Sequence, residues 1–329
     1  MMHQKLTRAC ALALVMTMLA VTPAFALFGK SNDEESLPAE EGAPTVQAIT
    51  ISTYRDVPYT AQFLAPDQKG GELTFSLVTQ PKHGSVTIEG DSFTYTPAAG
   101  KTGKDSFTYA ATDAEGRVSA PALVDVTVAK AKTAVTYSDM EGNTACAAAI
   151  RLAEAGVFVG SQVGDEYFFE PDRAVSRGEF LAMTMETAGL DAAEATMTGF
   201  ADDGAIPTWA KSYASAALKN GLVKGVSTAD GVAFEAGAPI TMNEAAVVLD
   251  RVLSVSDVDL ETWYADRESV PSWAAQAVGN MESVSVLKTG SFGSSAMSAA
   301  VTRADAAQML AAAGTLMEGE KTGLMSWLS

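Results

Sequence analysis

The sequence predicts two modules of different class, an antiparallel β sandwich followed by an all-α unit of three repeats. Two observations carry this. Between about Thr45 and Ala129, apolar and polar residues alternate at a period of two, interrupted by short turn signals. Beyond a short connector the apolar period becomes helical and the sequence repeats itself, with Asp139, Asp202 and Asp266 spaced 63 and 64 positions apart. The chain has 329 residues, 47% of them hydrophobic. That length suggests about two domains, and the apolar fraction is ample for buried cores.

The first element is a targeting segment. Lys5 and Arg8 precede an apolar stretch from Ala9 to Val21, which ends at Ala24-Phe25-Ala26. A positive start, a short apolar run and a small-x-small site read as a secretory signal peptide over residues 1–26. The 13 apolar residues span only ~20 Å as a helix, too short for a bilayer. The sequence shows no second long apolar run, so no membrane span is expected in the processed form. The C-terminal stretch, residues 320–329, resembles neither a covalent wall-sorting signal nor a stop-transfer helix.

Charge and rare residues narrow the function. With 22 Lys+Arg against 40 Asp+Glu the formal net charge is −18, and removing Lys5 and Arg8 makes it −20. Such a balance argues against nucleic acid as a partner, which requires a concentrated basic face. His3 and Cys10 fall within the signal segment, leaving His83 and Cys146. One cysteine allows no intramolecular disulfide, and a zinc site of His and Cys lacks ligands. Histidine-dependent nucleophilic catalysis would have to run through His83, which sits at a strand entrance as an exposed turn residue. Carboxylate-only chemistry is not excluded by counting.

Residues 27–44 form an acidic, turn-rich flexible spacer, most of it Ser31-Asn-Asp-Glu-Glu-Ser-Leu-Pro-Ala-Glu-Glu-Gly-Ala-Pro44. The β module covers 45–129. Val86 and Ile88 alternate before Glu89-Gly90-Asp91, and Phe93 and Tyr95 alternate after it, which is a hairpin signal. Phe107, Tyr109 and Ala111 continue the pattern, Asp113-Ala-Glu-Gly116 turns the chain, and Val124, Val126 and Val128 make a closing strand. Three phrases are familiar: Leu77-Val-Thr-Gln-Pro-Lys-His-Gly-Ser-Val86, Phe93-Thr-Tyr-Thr-Pro97 and Gly103-Lys-Asp-Ser-Phe-Thr-Tyr109. They resemble bacterial Ig-like, cadherin-like domains, in the family's order. The resemblance implies a spacer or display unit of a surface protein, whose own partner is unknown. It also makes Asp67, Asp113 and Glu115 candidates for calcium, against ordinary turn chemistry in which Asp bonds its own backbone. No other cofactor is expected.

After a connector at 130–136, the repeats occupy 137–197, 198–261 and 262–319. They open with Tyr137-Ser-Asp139, Phe200-Ala-Asp202 and Tyr264-Ala-Asp266. Each opening leads to an Ala-rich helix: Ala145–Ala155, Trp209–Asn220 and Trp273–Ser283. Gly156 and Gly221 end the first two, where a left-handed residue is needed. After a Gly or polar loop, second helices open at Ser176-Arg-Gly-Glu179, Thr241-Met-Asn-Glu244 and Thr302-Arg-Ala-Asp305. The hydroxyls of Ser176, Thr241 and Thr302 suit N-caps, and Glu179, Glu244 and Asp305 suit the reciprocal bond to the cap N–H. Arg177 and Arg303 run against this logic, since a cation at a helix start opposes the dipole by ~0.3–1 kcal/mol. Either they form an anion site with the helix N-terminus, or they pair with nearby acids.

The aromatic-x-Asp start, the Trp-Ala helix, the Gly-terminated turn, Phe169-Glu-Pro171 and the Ser/Thr-Arg-x-Glu opening together resemble S-layer homology (SLH) repeats. The resemblance implies a pseudo-threefold SLH trimer whose grooves bind an anionic, often pyruvylated, secondary cell-wall polysaccharide. By position, Arg177 and Arg303 then match the binding arginine, Asp139, Asp202 and Asp266 the early acid, and Trp209 and Trp273 the groove aromatic. A Trp at a helix start is equally a core anchor. The pattern breaks at Met242, where Arg is expected, at Thr144-Ala145 near the Trp position, and at Ser285, which replaces the terminal Gly. One or two competent grooves are expected. The implied function is noncatalytic: a secreted protein held on the cell wall and displaying its Ig-like module. The alternatives are a wall-anchored carbohydrate-active enzyme or its subunit, and an adhesin whose Ig-like module binds another cell or protein.

Overall fold

A computed structural model describes residues 42–65, 72–192, 194–264 and 267–326. The predicted signal peptide, most of the acidic spacer, Asp67 and Asp266 lie outside these residues.

The period-two segment forms seven strands: β1 (Ile49–Tyr54), β2 (Tyr59–Gln62), β3 (Thr74–Thr79), β4 (Gly84–Glu89), β5 (Ser92–Pro97), β6 (Gly103–Thr112) and β7 (Ala122–Ala129). They make two sheets, ordered β1-β7-β6-β3 and β2-β5-β4. The Glu89-Gly90-Asp91 signal is a two-residue hairpin, with Glu89 opposite Ser92 and Gly90 at φ 61°. Alternation sends Phe93, Tyr95, Phe107, Tyr109, Val124 and Val126 into one core, each at most 1% exposed. The expectation of a purely antiparallel sandwich needs one correction: β1 pairs with β7 in parallel, Ile49 opposite Val124. The module's first and last strands run side by side in the same direction, and the five strands between them supply the crossover that a parallel pair requires.

Gly84 explains the Lys-His-Gly phrase. A Cβ there would lie 2.6 Å from the Tyr95 ring, so only hydrogen fits. The freed space lets Tyr95 donate to Asp105 at 3.0 Å. Asp105 also accepts the backbone N–H groups of Lys82, His83 and Ser106 at 2.8–2.9 Å. Burial pushes its carboxyl up, but these four donors outweigh burial and hold it below the usual carboxylate range. His83 contributes its backbone here and leaves its side chain exposed.

The second module contains α1 (Cys146–Glu154), α2 (Arg177–Ala188), α3 (Thr208–Lys219), α4 (Met242–Leu253), a short α5 (Leu260–Trp263), α6 (Ala275–Ser283) and α7 (Arg303–Ser326). It is not wholly α-helical. In the first two repeats the loop between helices folds into a small antiparallel hairpin: β8 (Ser161–Val163) with β9 (Glu166–Phe168), and β10 (Val226–Thr228) with β11 (Gly231–Ala233). Helix α7 also runs through the boundary set at 319, so residues 320–326 continue it.

Each repeat's second helix packs on the first helix of the next repeat: α2 on α3, α4 on α6, and α7 back on α1. Small residues make the approach close, as with Ala210, Ala214 and Ala217 on the buried face of α3. Three backbone hydrogen bonds close the circuit. Ile240 N–H donates to Val175 O at 3.1 Å, Val301 N–H to Ile240 O at 2.8 Å, and Val175 N–H to Val301 O at 2.8 Å. All three residues are buried. A repeat cut from this circuit would lose the apolar cover its neighbours supply, so the three fold as one unit.

Candidate functional site

The second helices begin at the centre of this circuit. Ser176 Oγ accepts the Glu179 N–H at 3.2 Å, and Glu179 accepts the Ser176 N–H at 2.9 Å. Thr241 with Glu244, and Thr302 with Asp305, make the same reciprocal pair. Such a cap contributes ~1 kcal/mol. The next donors are used as well. Arg177 and Gly178 N–H bond to Ala238 O and Ala236 O, each at 2.9 Å, and Arg303 and Ala304 N–H bond to Arg173 O and Pro171 O, each at 2.9 Å. The helix N-termini therefore spend their free N–H groups on the neighbouring repeat. At the two Arg-bearing helix starts, the backbone donors that an anion would use are already bonded within the protein.

The arginines behave in the same way. Arg177 Nε donates to Phe234 O at 2.9 Å, its Nη1 pairs with Glu244, and its guanidinium lies 5.9 Å from the Phe234 ring centre. Arg303 Nη1 bonds Phe169 O at 3.0 Å and Glu170 at 2.9 Å, with the Phe158 ring 4.9 Å away. Burial and the nearby Arg173 cation pull the Arg303 guanidinium below its usual range, against the opposing pull of Glu170. Each arginine reaches from one repeat into the next, which is the pairing alternative of the sequence reading. Met242, at the corresponding place in the second repeat, packs against the apolar core instead.

Asp139 and Asp202 are also structural. Asp139 accepts Phe169 and Glu170 N–H at 2.9 and 2.7 Å, and Asp202 accepts Phe234 and Glu235 N–H, both at 2.8 Å. They hold Glu170 and Glu235 in left-handed turns, at φ 55° and 56°. The tryptophans are not core anchors. Trp209 is 52% and Trp273 59% exposed, while the following Ala210 and Ala274 are at most 1% exposed and fill the core. The Trp209 ring stands beside α2, 3.6 Å from where a Cβ on Gly178 would sit.

Arg177 and Trp273 both line one open groove of about 340 Å³ drawn from all three repeats. Leu181, Val223, Phe234, Val247 and Val248 give it apolar walls. Glu244, Lys224 and Arg251 add charge. Sequence reasoning missed Lys224 and Arg251. The signal was present, since Glu244, Val247, Val248 and Arg251 follow the i, i+3, i+4, i+7 spacing of one helix face.

The calcium candidates that fall within the described residues are bound to a cation of the protein itself. Asp113 accepts the Arg117 Nε at 2.7 Å and the backbone N–H groups of Arg117 and Glu115, while Glu115 pairs with Arg117 at 3.0 Å. This is turn chemistry, and Arg117 occupies the place a cation would need. Among the described residues no cluster of three or more His, Cys, Asp or Glu could hold a metal. No helix among them is long and apolar enough to cross a membrane.

Residues 41–127 match the family model of the bacterial Ig domain. The chain is 31% identical over 104 residues to the Surface-layer 125 kDa protein of Lysinibacillus sphaericus, a match covering 32% of this chain and 8% of that protein. Among solved structures, an endo-fucoidan hydrolase of glycoside hydrolase family 107 overlaps 28% of this chain and 14% of its own, at 15% identity and a TM-score of 0.22. A fibronectin(III)-like module of Clostridium thermocellum CbhA overlaps 25% of this chain and 90% of its own, at 17% identity and a TM-score of 0.18. Overlaps of that size carry no argument about fold or activity. The β module is thus similar to bacterial Ig domains, and the helical unit that follows it supplies the groove.

Proposed function

We propose that this chain is a noncatalytic cell-surface protein, held on the cell wall by three S-layer homology repeats that bind an anionic secondary cell-wall polysaccharide. The Ig module is displayed from that anchor. The carrying observation is a groove whose lining includes exposed Trp273 together with the cations Lys224 and Arg251. An aromatic face stacks on sugar C–H surfaces, and cations take an acid group on the same ligand. The repeat spacing and the similarity to a surface-layer protein support the reading.

The test is cosedimentation of the full chain with purified sacculi before and after chemical removal of the secondary polysaccharide. Binding should be lost with the polysaccharide, and Trp273→Ala should weaken it about tenfold, which corresponds to ~1.4 kcal/mol. Sacculi that bind equally well once stripped would overturn the reading.

A further inference from the structure

The three repeats offer three sets of equivalent positions, and their charges differ. Three residues after the residue that ends each first helix, Gly156, Gly221 or Ser285, stand Val159, Lys224 and Lys288. Ten residues after the caps Ser176, Thr241 and Thr302 stand Glu186, Arg251 and Ala312. Only the second repeat has cations at both, and both line the Trp273 groove.

Their partners set them apart from Arg177. The charge of Arg177 is met by Glu244, and its Nε by Phe234 O, so it stiffens the wall of the groove. Lys224 is exposed and has no hydrogen bond or ion pair among the described residues. Arg251 gives one bond, from Nη1 to Leu222 O at 2.9 Å, which aims the guanidinium while its other N–H groups stay without a partner among the described residues. With Arg177 and Glu244 neutralising each other, two uncompensated cations remain at the edge of an apolar groove, on a chain of net charge −18. A local reversal of sign inside a repelling field selects for a ligand that presents its acid group at one place.

Resting on the wall-glycan reading above, we infer that the Trp273 groove is the single anion-recognising groove of the three, and that Lys224 and Arg251 contact the acid group of an acidic saccharide while Arg177 acts as a positioning residue. Lys224 supplies a mobile point charge and Arg251 a planar fork.

The experiment measures affinity of the full chain for purified wall polysaccharide, at low and high salt, beside cosedimentation with intact and stripped sacculi. Lys224→Ala and Arg251→Gln should each weaken binding on the order of tenfold, as for a charge-assisted hydrogen bond. The double variant should also lose most of the salt dependence, which a merely structural residue would not move. Arg251→Lys, keeping the charge, should retain more affinity than Arg251→Gln. Lys288→Ala, at the equivalent position of the third repeat, should bind like the parent. Polymer whose carboxyl groups have been reduced to alcohols identifies the acid. Weak binding to the parent chain assigns a carboxylate, and unchanged binding that still falls in the double variant assigns a phosphate.

If the double variant binds like the parent while stripping the sacculi abolishes binding, the assignment of Lys224 and Arg251 is wrong and the wall-glycan function stands. An equal loss in Lys288→Ala overturns the single-groove claim. Binding that survives stripping removes both the function and the inference built on it.

Discussion

Asp105 in the Ig module and Arg303 in the helical unit are equally buried, at 8% exposure each, yet they find their partners over very different distances. The four donors to Asp105 lie within 23 residues of it. Arg303 is satisfied by Phe169 O and Glu170, 134 and 133 residues away. The Ig-like module satisfies this charge inside one turn-and-strand neighbourhood, with donors of its own. The helical unit neutralises its charge by closing a ring, and no repeat is complete until its neighbour is present. A buried charge of the first kind guards one fold element, and one of the second kind guards the assembly of three.

Breaking the ring should have the largest effect. Arg303→Ala leaves the Phe169 carbonyl without its side-chain partner, removes one of the two arginines that pair with Glu170 and opens a gap beside Phe158. The expected cost is about 2–4 kcal/mol, from truncating a buried side chain and losing its charge-assisted hydrogen bonds. Urea unfolding followed by the helical signal reads it, with the Ig transition unmoved. Arg303→Met, which copies Met242 in the second repeat, should cost less than Arg303→Ala because it keeps the apolar contact. Equal costs would mean that the stem contributes nothing.

The local charge predicts a pH effect. The carboxyl of Asp105 is depressed in the folded state, so the unfolded chain takes up its proton first. The stability it contributes is present above the ordinary carboxylate range of ~3.9 and is lost as pH falls through the lower folded value. Asp105→Asn should lower Ig-module stability at neutral pH by about 2 kcal/mol and flatten its acid dependence. Unfolding midpoints at neutral and acidic pH check both. Asp203 acts in the helical unit with the same sign. Its bond from Lys211, the Thr198 donors and the Lys211 charge outweigh the little burial it has, and its carboxyl is held down at about 2.

The smallest expected change sharpens the comparison among repeats. Ser285 sits at φ 59°, where Gly156 and Gly221 sit at 73° and 72°. Ser285→Gly should stabilise the helical unit by about 1 kcal/mol, seen as a small rise in melting temperature. A loss of stability would show that the Ser285 side chain does more than tolerate a left-handed turn.

Much of the fold was legible because it rests on neighbours in sequence. The Val86–Tyr95 hairpin, the strands around Phe107 and Val124, the paired helices and their caps all follow from periodicity and from contacts within four residues. Three features were not legible. The parallel pairing of β1 with β7 joins strands more than seventy residues apart. The hairpins β8–β9 and β10–β11 are three residues per strand, too short for a period to register. The roles of the candidate site residues were the least legible. Asp139, Asp202, Arg177 and Arg303 stand at the positions that motif matching selects, but their partners come from hairpins or repeats remote in sequence. Lys224 and Arg251 match no motif, and among the described residues neither has an ion pair.

By itself, then, the amino-acid sequence determined the two modules, the repeat of 63 and 64 residues, the capped helix starts and an acidic chain on which any anion must be met locally. Those are properties of composition and of interactions along a few turns of chain. Tertiary structure alone decided that the motif arginines are consumed in holding the repeats together, that Trp209 and Trp273 face solvent, and that the available cations gather at one groove. Whether a charge is free depends on what stands opposite it, and in this ring the opposite residue belongs to another repeat.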